Sequence, residues 1–123
     1  MRVITGTVMR GAGYGRKLGF PTANLDRREY ARRKYAWRLG VYAGVATRPK
    51  SGKSYPTGIV LGPRDESGLP KIEAHLIGFS GNLYDKKLRL ELRTFLRPFI
   101  SYSNEDALKK QIAKDLAVVR KLI

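Results

Sequence analysis

The sequence predicts an all-β fold, a small closed antiparallel barrel with one α-helix at its C-terminal end, and three observations carry that prediction. Short β-rich segments follow one another with turns between them and no alternating helices, which argues against a parallel α/β sheet. Leu88, Leu90, Leu92 and Leu96 alternate with Arg89, Glu91, Arg93 and Phe95, the pattern of a strand with one buried and one wet face. Beyond Ser103 the period changes, and Leu108, Ile112, Leu116 and Val119 fall on one helical face.

Taken in order, Val3, Thr5, Thr7 and Met9 alternate with Ile4, Gly6 and Val8 ahead of the glycine-dense Gly11-Ala12-Gly13-Tyr14-Gly15, a strand feeding a phosphate-sized loop. The stretch DRREYARRKYAWR, Asp26 to Arg38, is rich in cations and weakly periodic. It predicts an ordered loop with one helical turn whose arginines attract polyanions and take no part in chemistry. Gly40 to Thr47, Tyr55 to Leu61 and Lys71 to Phe79 are further strand signals. In the last of them Ile72, Ala74 and Leu76 separate from Glu73, His75 and Ile77, and Ser80-Gly81-Asn82 then reverses the chain. The terminal helix opens on Ser103 with Asp106 three residues later, in the manner of a capping box, and closes with Arg120 and Lys121 in its last turn.

A length of 123 residues with 42% hydrophobic content predicts one domain over residues 1–123 with one modest core. The absence of cysteine excludes disulfides, thiolate metal sites and a cysteine nucleophile. MRVITGTVMRG is too interrupted for a signal peptide, and no apolar run approaches the roughly 18 residues that span a bilayer. A soluble, cytoplasmic, monomeric protein with no membrane partner is therefore expected. The 25 Lys and Arg against 10 Asp and Glu give a formal charge of +15, which attracts nucleotides, nucleic acids and anionic lipids without choosing among them. A merely solvated cationic surface accounts for it equally well.

Two nucleotide motifs almost form. Gly11-Ala12-Gly13-Tyr14-Gly15-Arg16 begins like a dinucleotide fingerprint, but Arg16 replaces the third glycine and no helical pattern follows. Gly52-Lys53-Ser54 ends like a P-loop, but Thr47 occupies the first glycine position and Tyr55-Pro56 forbids the helix that would hold the phosphate. Gly19-Phe20-Pro21-Thr22-Ala23-Asn24 carries more. Thr22 and Asn24, two residues apart on an extended backbone after a proline, offer two neutral hard oxygens of the kind Mg²⁺ accepts beside water and phosphates. Alone, such a stretch is more often a turn or cap. The glycine loop upstream, able to form an anion nest, favours the metal reading.

GRKLGFPTANL, Gly15 to Leu25, resembles the signature of the ATP-dependent riboflavin kinases. Gly40-Val41-Tyr42-Ala43-Gly44, Ile72-Glu73-Ala74-His75-Leu76, Asn82-Leu83-Tyr84, Phe95-Leu96-Arg97-Pro98, and Leu108 with Gln111-Ile112 and Asp115 follow in that family's order. The resemblance spans nearly the whole chain and implies a six-stranded antiparallel Greek-key barrel with the helix packed on it. It implies a stand-alone kinase that makes FMN from riboflavin and Mg²⁺ with ATP or another nucleoside triphosphate, and makes no FAD. It assigns Mg²⁺ and phosphates to Thr22 and Asn24, nucleotide cover to Gly11 and Arg16, and the base to Leu83 and Tyr84. The flavin falls to Arg97 and Tyr102 with Leu90 beneath it, and activation of the 5′-hydroxyl to Glu73. Asp85 stands where the family has glycine, Gly78 where a polar residue is common and Tyr102 where phenylalanine is usual, while Pro56 to Gly68 departs from the pattern. Two other readings remain open: a basic barrel that binds RNA without catalysis, and a flavin carrier without turnover.

Overall fold

The computed structural model describes residues 1–10 and 22–123. The elements in chain order are β1 (Arg2–Met9), β2 (Ala23–Leu25), α1 (Arg28–Arg32), β3 (Gly40–Thr47), β4 (Ser54–Arg64), β5 (Pro70–Leu76), β6 (Lys87–Arg97) and α2 (Glu105–Leu122). The six strands close into an antiparallel barrel in the order β1-β2-β5-β4-β3-β6, with β6 pairing back onto β1. Between β2 and β5 the order skips two strands, which is the Greek-key connection. The predicted fold class is therefore observed.

Period-2 alternation fills the interior. Ile4 and Val8, Leu25, Tyr42 and Ala46, Ile59 and Leu61, Ile72 and Ala74, and Leu88, Leu90 and Leu92 form one buried cluster. The alternation in β6 breaks where the sequence looks regular. Its register against β3 runs Val41↔Arg97, Tyr42↔Phe95, Ala43↔Thr94 and Gly44↔Leu92, so Leu96 and Arg93 are extra residues. These bulges turn Phe95 onto the core, edge-on to Tyr42 at 5.2 Å, and leave Leu96 outside it. An unbroken Leu88-to-Leu96 stripe is thus corrected at its last member.

Other boundaries shift for local reasons. The helix cap is Asn104 and not Ser103: Asn104 has extended dihedrals, and its Oδ1 accepts from the Ala107 N–H at 2.8 Å. The strand expected over Lys71 to Phe79 ends at Leu76, and Gly78 turns the chain at φ +85°. β4 extends past Leu61 through a cis Gly62–Pro63 bond, where its register against β5 shifts from Leu61↔Ile72 to Arg64↔Pro70. Asp85 takes the left-handed conformation at φ 64°, and its N–H reaches Val8 O at 2.9 Å, so the turn forms without glycine. Among the described residues no helix is long and apolar enough to cross a membrane.

The basic Asp26–Arg38 stretch holds one short helix, α1, whose Tyr30 packs edge-on against Tyr35 and Trp37. Four of its arginines are ion-paired. Arg27 bonds Asp65, Arg28 bonds Asp26, and Arg32 and Arg33 both bond Glu29.

At Gly44 the backbone of β3 lies so close to β6 that a Cβ would collide with Glu91 O and sit 2.9 Å from Ile59 Cδ1. Gly44→Ala is therefore expected to cost about 2 kcal/mol or more, because a carbonyl in a ladder cannot move aside as a side chain can. Urea unfolding with native-like stability would contradict this close approach.

Candidate active site

Since the barrel interior is filled, the site lies on its outer wall, where the residues between the buried positions of β2, β5 and β4 point. Asn24, Glu73 and Val60 form one row across these three strands, because Asn24 pairs with Glu73 and Glu73 with Val60. Thr22 immediately precedes β2, and its Oγ1 lies 3.3 Å from Nδ1 of His75, one outward position along β5 from Glu73. Helix α2 packs over this wall. Gly58 allows its approach, for a Cβ there would stand 3.1 Å from Leu116 Cδ2.

Wall and helix are tied together by Arg97 at the end of β6. Its Nε and Nη2 donate to Asp115 Oδ1 and Oδ2 of α2 at 3.0 and 2.8 Å, and Gln111 Nε2 donates to the same carboxylate at 3.0 Å. Only 17% of the Arg97 side chain and 11% of that of Asp115 are exposed. The bidentate bond to Asp115 raises the Arg97 pKa above the usual arginine value.

The space enclosed is a cavity of about 730 Å³, within the range of small-molecule sites. One wall is polar, with Thr22, Asn24, Lys71, Glu73 and His75; the other is apolar, with Val41, Phe99, Ile100, Leu108, Ile112 and Leu116. Glu73 has no ion pair or hydrogen bond among the described residues. Burial raises its carboxyl pKa above the ordinary glutamate value, with Lys71 drawing it partly back. Tyr102 also lines the cavity, and its buried hydroxyl finds no partner among the described residues. A second cleft of about 190 Å³ is lined by Val8, Ala23, Leu76, Phe79, Leu83 and Tyr84, and Thr22 borders both spaces. The loop of this cleft is held by Asn82 Oδ1, which accepts from the Tyr84 N–H at 2.8 Å.

The residues singled out from the sequence thus divide into groups. Thr22, Asn24, Glu73, Arg97 and Tyr102 converge on the larger cavity, and Leu83 and Tyr84 on the smaller. Gly11 and Arg16 lie outside the described residues. Leu90 is corrected: it is fully buried in the barrel core and lines neither space, because it occupies an inward position of β6. The reading gave no role to Asp115, which clamps Arg97. Its signal was a carboxylate set within the apolar stripe of Ile112, Leu116 and Val119, where a buried charge demands a partner.

The model of the family described as riboflavin kinase matches residues 2–123. The bifunctional riboflavin kinase/FMN adenylyltransferase of Mycoplasma pneumoniae is 38% identical over 117 residues, 94% of this chain and 40% of that protein. The RNA-binding riboflavin kinase RibR of Bacillus subtilis is 34% identical over 122 residues, covering 98% of this chain and 51% of that protein. The chain therefore spans 40% and 51% of the length of these two relatives. The crystal structure of riboflavin kinase from Trypanosoma brucei shares the fold, with a TM-score of 0.65 at 22% identity over 98% of this chain and 78% of that one.

As a core residue, Leu90 is expected to cost about 2–5 kcal/mol when cut to alanine, measured by urea unfolding. Riboflavin affinity, followed by flavin fluorescence where the variant is still folded, is expected to stay within about twofold. Native stability combined with weakened flavin binding would return Leu90 to the ligand.

Proposed function

Because the chain belongs to the riboflavin kinase family, we propose that it transfers the γ-phosphoryl group of Mg²⁺-bound ATP, or a related nucleoside triphosphate, to the 5′-hydroxyl of riboflavin, giving FMN. The observation that carries this reading is the position of Thr22 between two cavities, with a half-buried Glu73, unpaired among the described residues, on the side of the larger one. A two-substrate transfer needs two adjoining spaces and a proton acceptor where they meet.

Size and polarity assign the spaces. The larger takes riboflavin, its ring system against Phe99, Ile100 and the apolar face of α2, its ribityl chain toward the polar wall. The unpartnered Tyr102 hydroxyl suits a polar edge of that ring system. Arg97, held by Asp115, presents a fixed guanidinium plane and has little donor capacity to spare. The smaller cleft, with Leu83 and Tyr84, takes the nucleotide base. Gly11 and Arg16 are assigned to the phosphates on the resemblance alone.

The donor set fits Mg²⁺. Thr22 and Asn24 supply neutral oxygens, and the Asn24 side chain has no hydrogen-bond partner among the described residues. Among those residues no group of three His, Cys, Asp or Glu side chains could hold an ion, so a cation here would draw most ligands from phosphate and water, as Mg²⁺ does. Bound there, it would offset the charge on the phosphates. Glu73 accepts the hydroxyl proton as the 5′-oxygen bonds to the γ-phosphorus and the bond to the β,γ-bridging oxygen breaks, releasing the nucleoside diphosphate.

Glu73→Gln keeps the shape and removes the base. It is expected to bind both substrates and lose on the order of 10²- to 10⁴-fold in kcat, while His75→Gln stays within about tenfold. The reverse pattern would pass the base to His75. Glu73 acts when ionised and its pKa is raised, so kcat/KM is expected to rise with pH through a value above the ordinary glutamate range, and Glu73→Gln to lack that limb. Thr22→Val and Asn24→Leu are each expected to raise the Mg²⁺ requirement with riboflavin affinity largely intact. Wild-type metal dependence in either variant removes that residue from the metal site.

A further inference from the structure

The charge of +15 is distributed unevenly over the fold. Four arginines of the Asp26–Arg38 stretch, Arg27, Arg28, Arg32 and Arg33, are engaged with Asp65, Asp26 and Glu29, and Arg38 lies over the Phe95 ring. On the outer face of β1, β6, β3 and the start of β4 further cations gather, and carboxylates offset them only in part. Thr5 pairs with Arg89, Arg89 with Thr47, and Thr47 with Ser54, a single row across four strands. The Thr47 and Ser54 hydroxyls are 2.8 Å apart. Lys87 stands beside Thr7 in the next row, and the hairpin beyond Thr47 carries Arg48, Lys50 and Lys53, held by the Arg48 N–H to Lys53 O at 2.9 Å. In the adjoining row, beside Val3 and Val45, Glu91 bonds Arg93 and pairs with Arg89 at 3.6 Å. At the β1 edge Asp26 and Glu29 enter a shallow depression beside Lys87, each already bound to arginine.

We propose that this face docks the phosphodiester backbone of single-stranded nucleic acid. Guanidinium and ammonium groups supply charge, and the threonine and serine hydroxyls between them donate to phosphate oxygens. The row spans about 14 Å at the usual strand spacing, room for several phosphates of an extended strand. The row itself has no aromatic side chain on which a base could stack, and Phe79 near the hairpin is engaged by Arg48 and Tyr55, so the face tracks the backbone and does not read sequence. A barrel wall is convex, and a flexible strand can follow it where a duplex, stiff over about 150 base pairs, meets fewer cations. A lipid surface fits less well, since none of the exposed large apolar residues, Met1, Met9, Phe99, Ile100, Val118 and Leu122, lies in these rows. Among the described residues none of Lys50, Lys53, Lys87 and Arg89 lines the two substrate cavities, so docking through them is expected to be independent of turnover; Arg48 lies over Phe79 of the smaller cleft.

The test is fluorescence anisotropy of the purified chain with labelled 20-mers of rU, rA and dT, a 20-bp duplex, polyglutamate and vesicles containing anionic lipid, each over a range of salt. Single strands are expected to bind within about threefold of one another and more tightly than the duplex, polyglutamate or vesicles. The combined Lys53→Gln, Lys87→Gln and Arg89→Gln variant is expected to lose at least about tenfold in affinity and about 2 in the slope of log K against log salt. Its FMN formation at saturating substrates is expected to remain at the wild-type level. The control, Arg27→Gln, Arg28→Gln, Arg32→Gln and Arg33→Gln together, removes more charge, four against three, from groups already ion-paired, and is expected to lose less. An equal or greater loss in the control would reduce the effect to net charge and overturn the proposal. So would absent binding, tighter binding to the duplex, vesicles or polyglutamate, or a preference above tenfold between rU and rA.

Discussion

Everything in this molecule follows from closure of a small barrel that has no room inside. Six strands leave an interior just wide enough for side chains, and here Ile4, Tyr42, Ile59, Leu61, Leu88 and Leu90 occupy it. A ligand must then bind on the outer wall, where alternate residues of each strand point. The row Asn24, Glu73 and Val60 exists because its neighbours Ala23, Ile72 and Ile59 are needed for the core. A wall alone would be flat and wet. Helix α2 converts it into a cavity, its own apolar stripe finding cover against Gly58 and the strands around it.

Two charged groups on this cavity, Arg97 and Glu73, are treated in opposite ways, and the difference bears on what each can do. Arg97 is neutralised by a bidentate carboxylate and supported by Gln111, so its guanidinium is fixed in place. Glu73 has no hydrogen bond or ion pair among the described residues and is partly desolvated, which raises the cost of its ionised form and its affinity for a proton. Rigid positioning and proton acceptance are separate tasks, and a paired Glu73 would perform the second poorly. The arrangement spends no stability on a second buried ion pair beside the first.

How far the sequence exposed this depends on range. Period-2 and period-3.6 patterns report which face is buried, and they located the main strands and α2 because burial is a local average. They failed where one residue breaks the count. The two bulges in β6 are imposed by pairing with β3, and nothing in Leu88 to Arg97 announces them. The three-residue β2 is too short for periodicity and borrows its order from β1 and β5. The cap moved from Ser103 to Asn104 because two adjacent capping residues compete and dihedral angles choose between them. Of the site, Thr22, Asn24 and Glu73 were legible as a motif and a strand position. The Arg97 to Asp115 clamp joins residues 18 apart in sequence, and only packing α2 onto the wall reveals it. Leu90 was misassigned for the same reason, since a leucine in a strand looks alike whether it faces a ligand or the core.

The charge has the same dependence on three dimensions. Composition counts 25 cations, but a cation acts on its surroundings only if its own neighbours leave it unbalanced and its target lies within reach. The densest basic stretch largely fails the first condition, because Asp26 and Glu29 within it and Asp65 beside it pair with four of its arginines; Ser67 and Arg27 together hold the Asp65 carboxyl down to about 2. On the face of Lys87 and Arg89 the first condition is met in part, since Glu91 lies 3.6 Å from Arg89, and toward Glu73 the second fails. Strand β6 stands across the barrel from β5, so a core about 10 Å thick separates Arg89 from Glu73, whereas Lys87 is two strands from Asn24 because β6 pairs with β1 and β1 with β2. The distance across the barrel exceeds the Debye length of about 8 Å at physiological salt, so the field of Arg89 is largely screened at Glu73. A triphosphate bound at Thr22, as proposed, would be held by groups close to it, and Arg89 across the barrel is left for another polyanion.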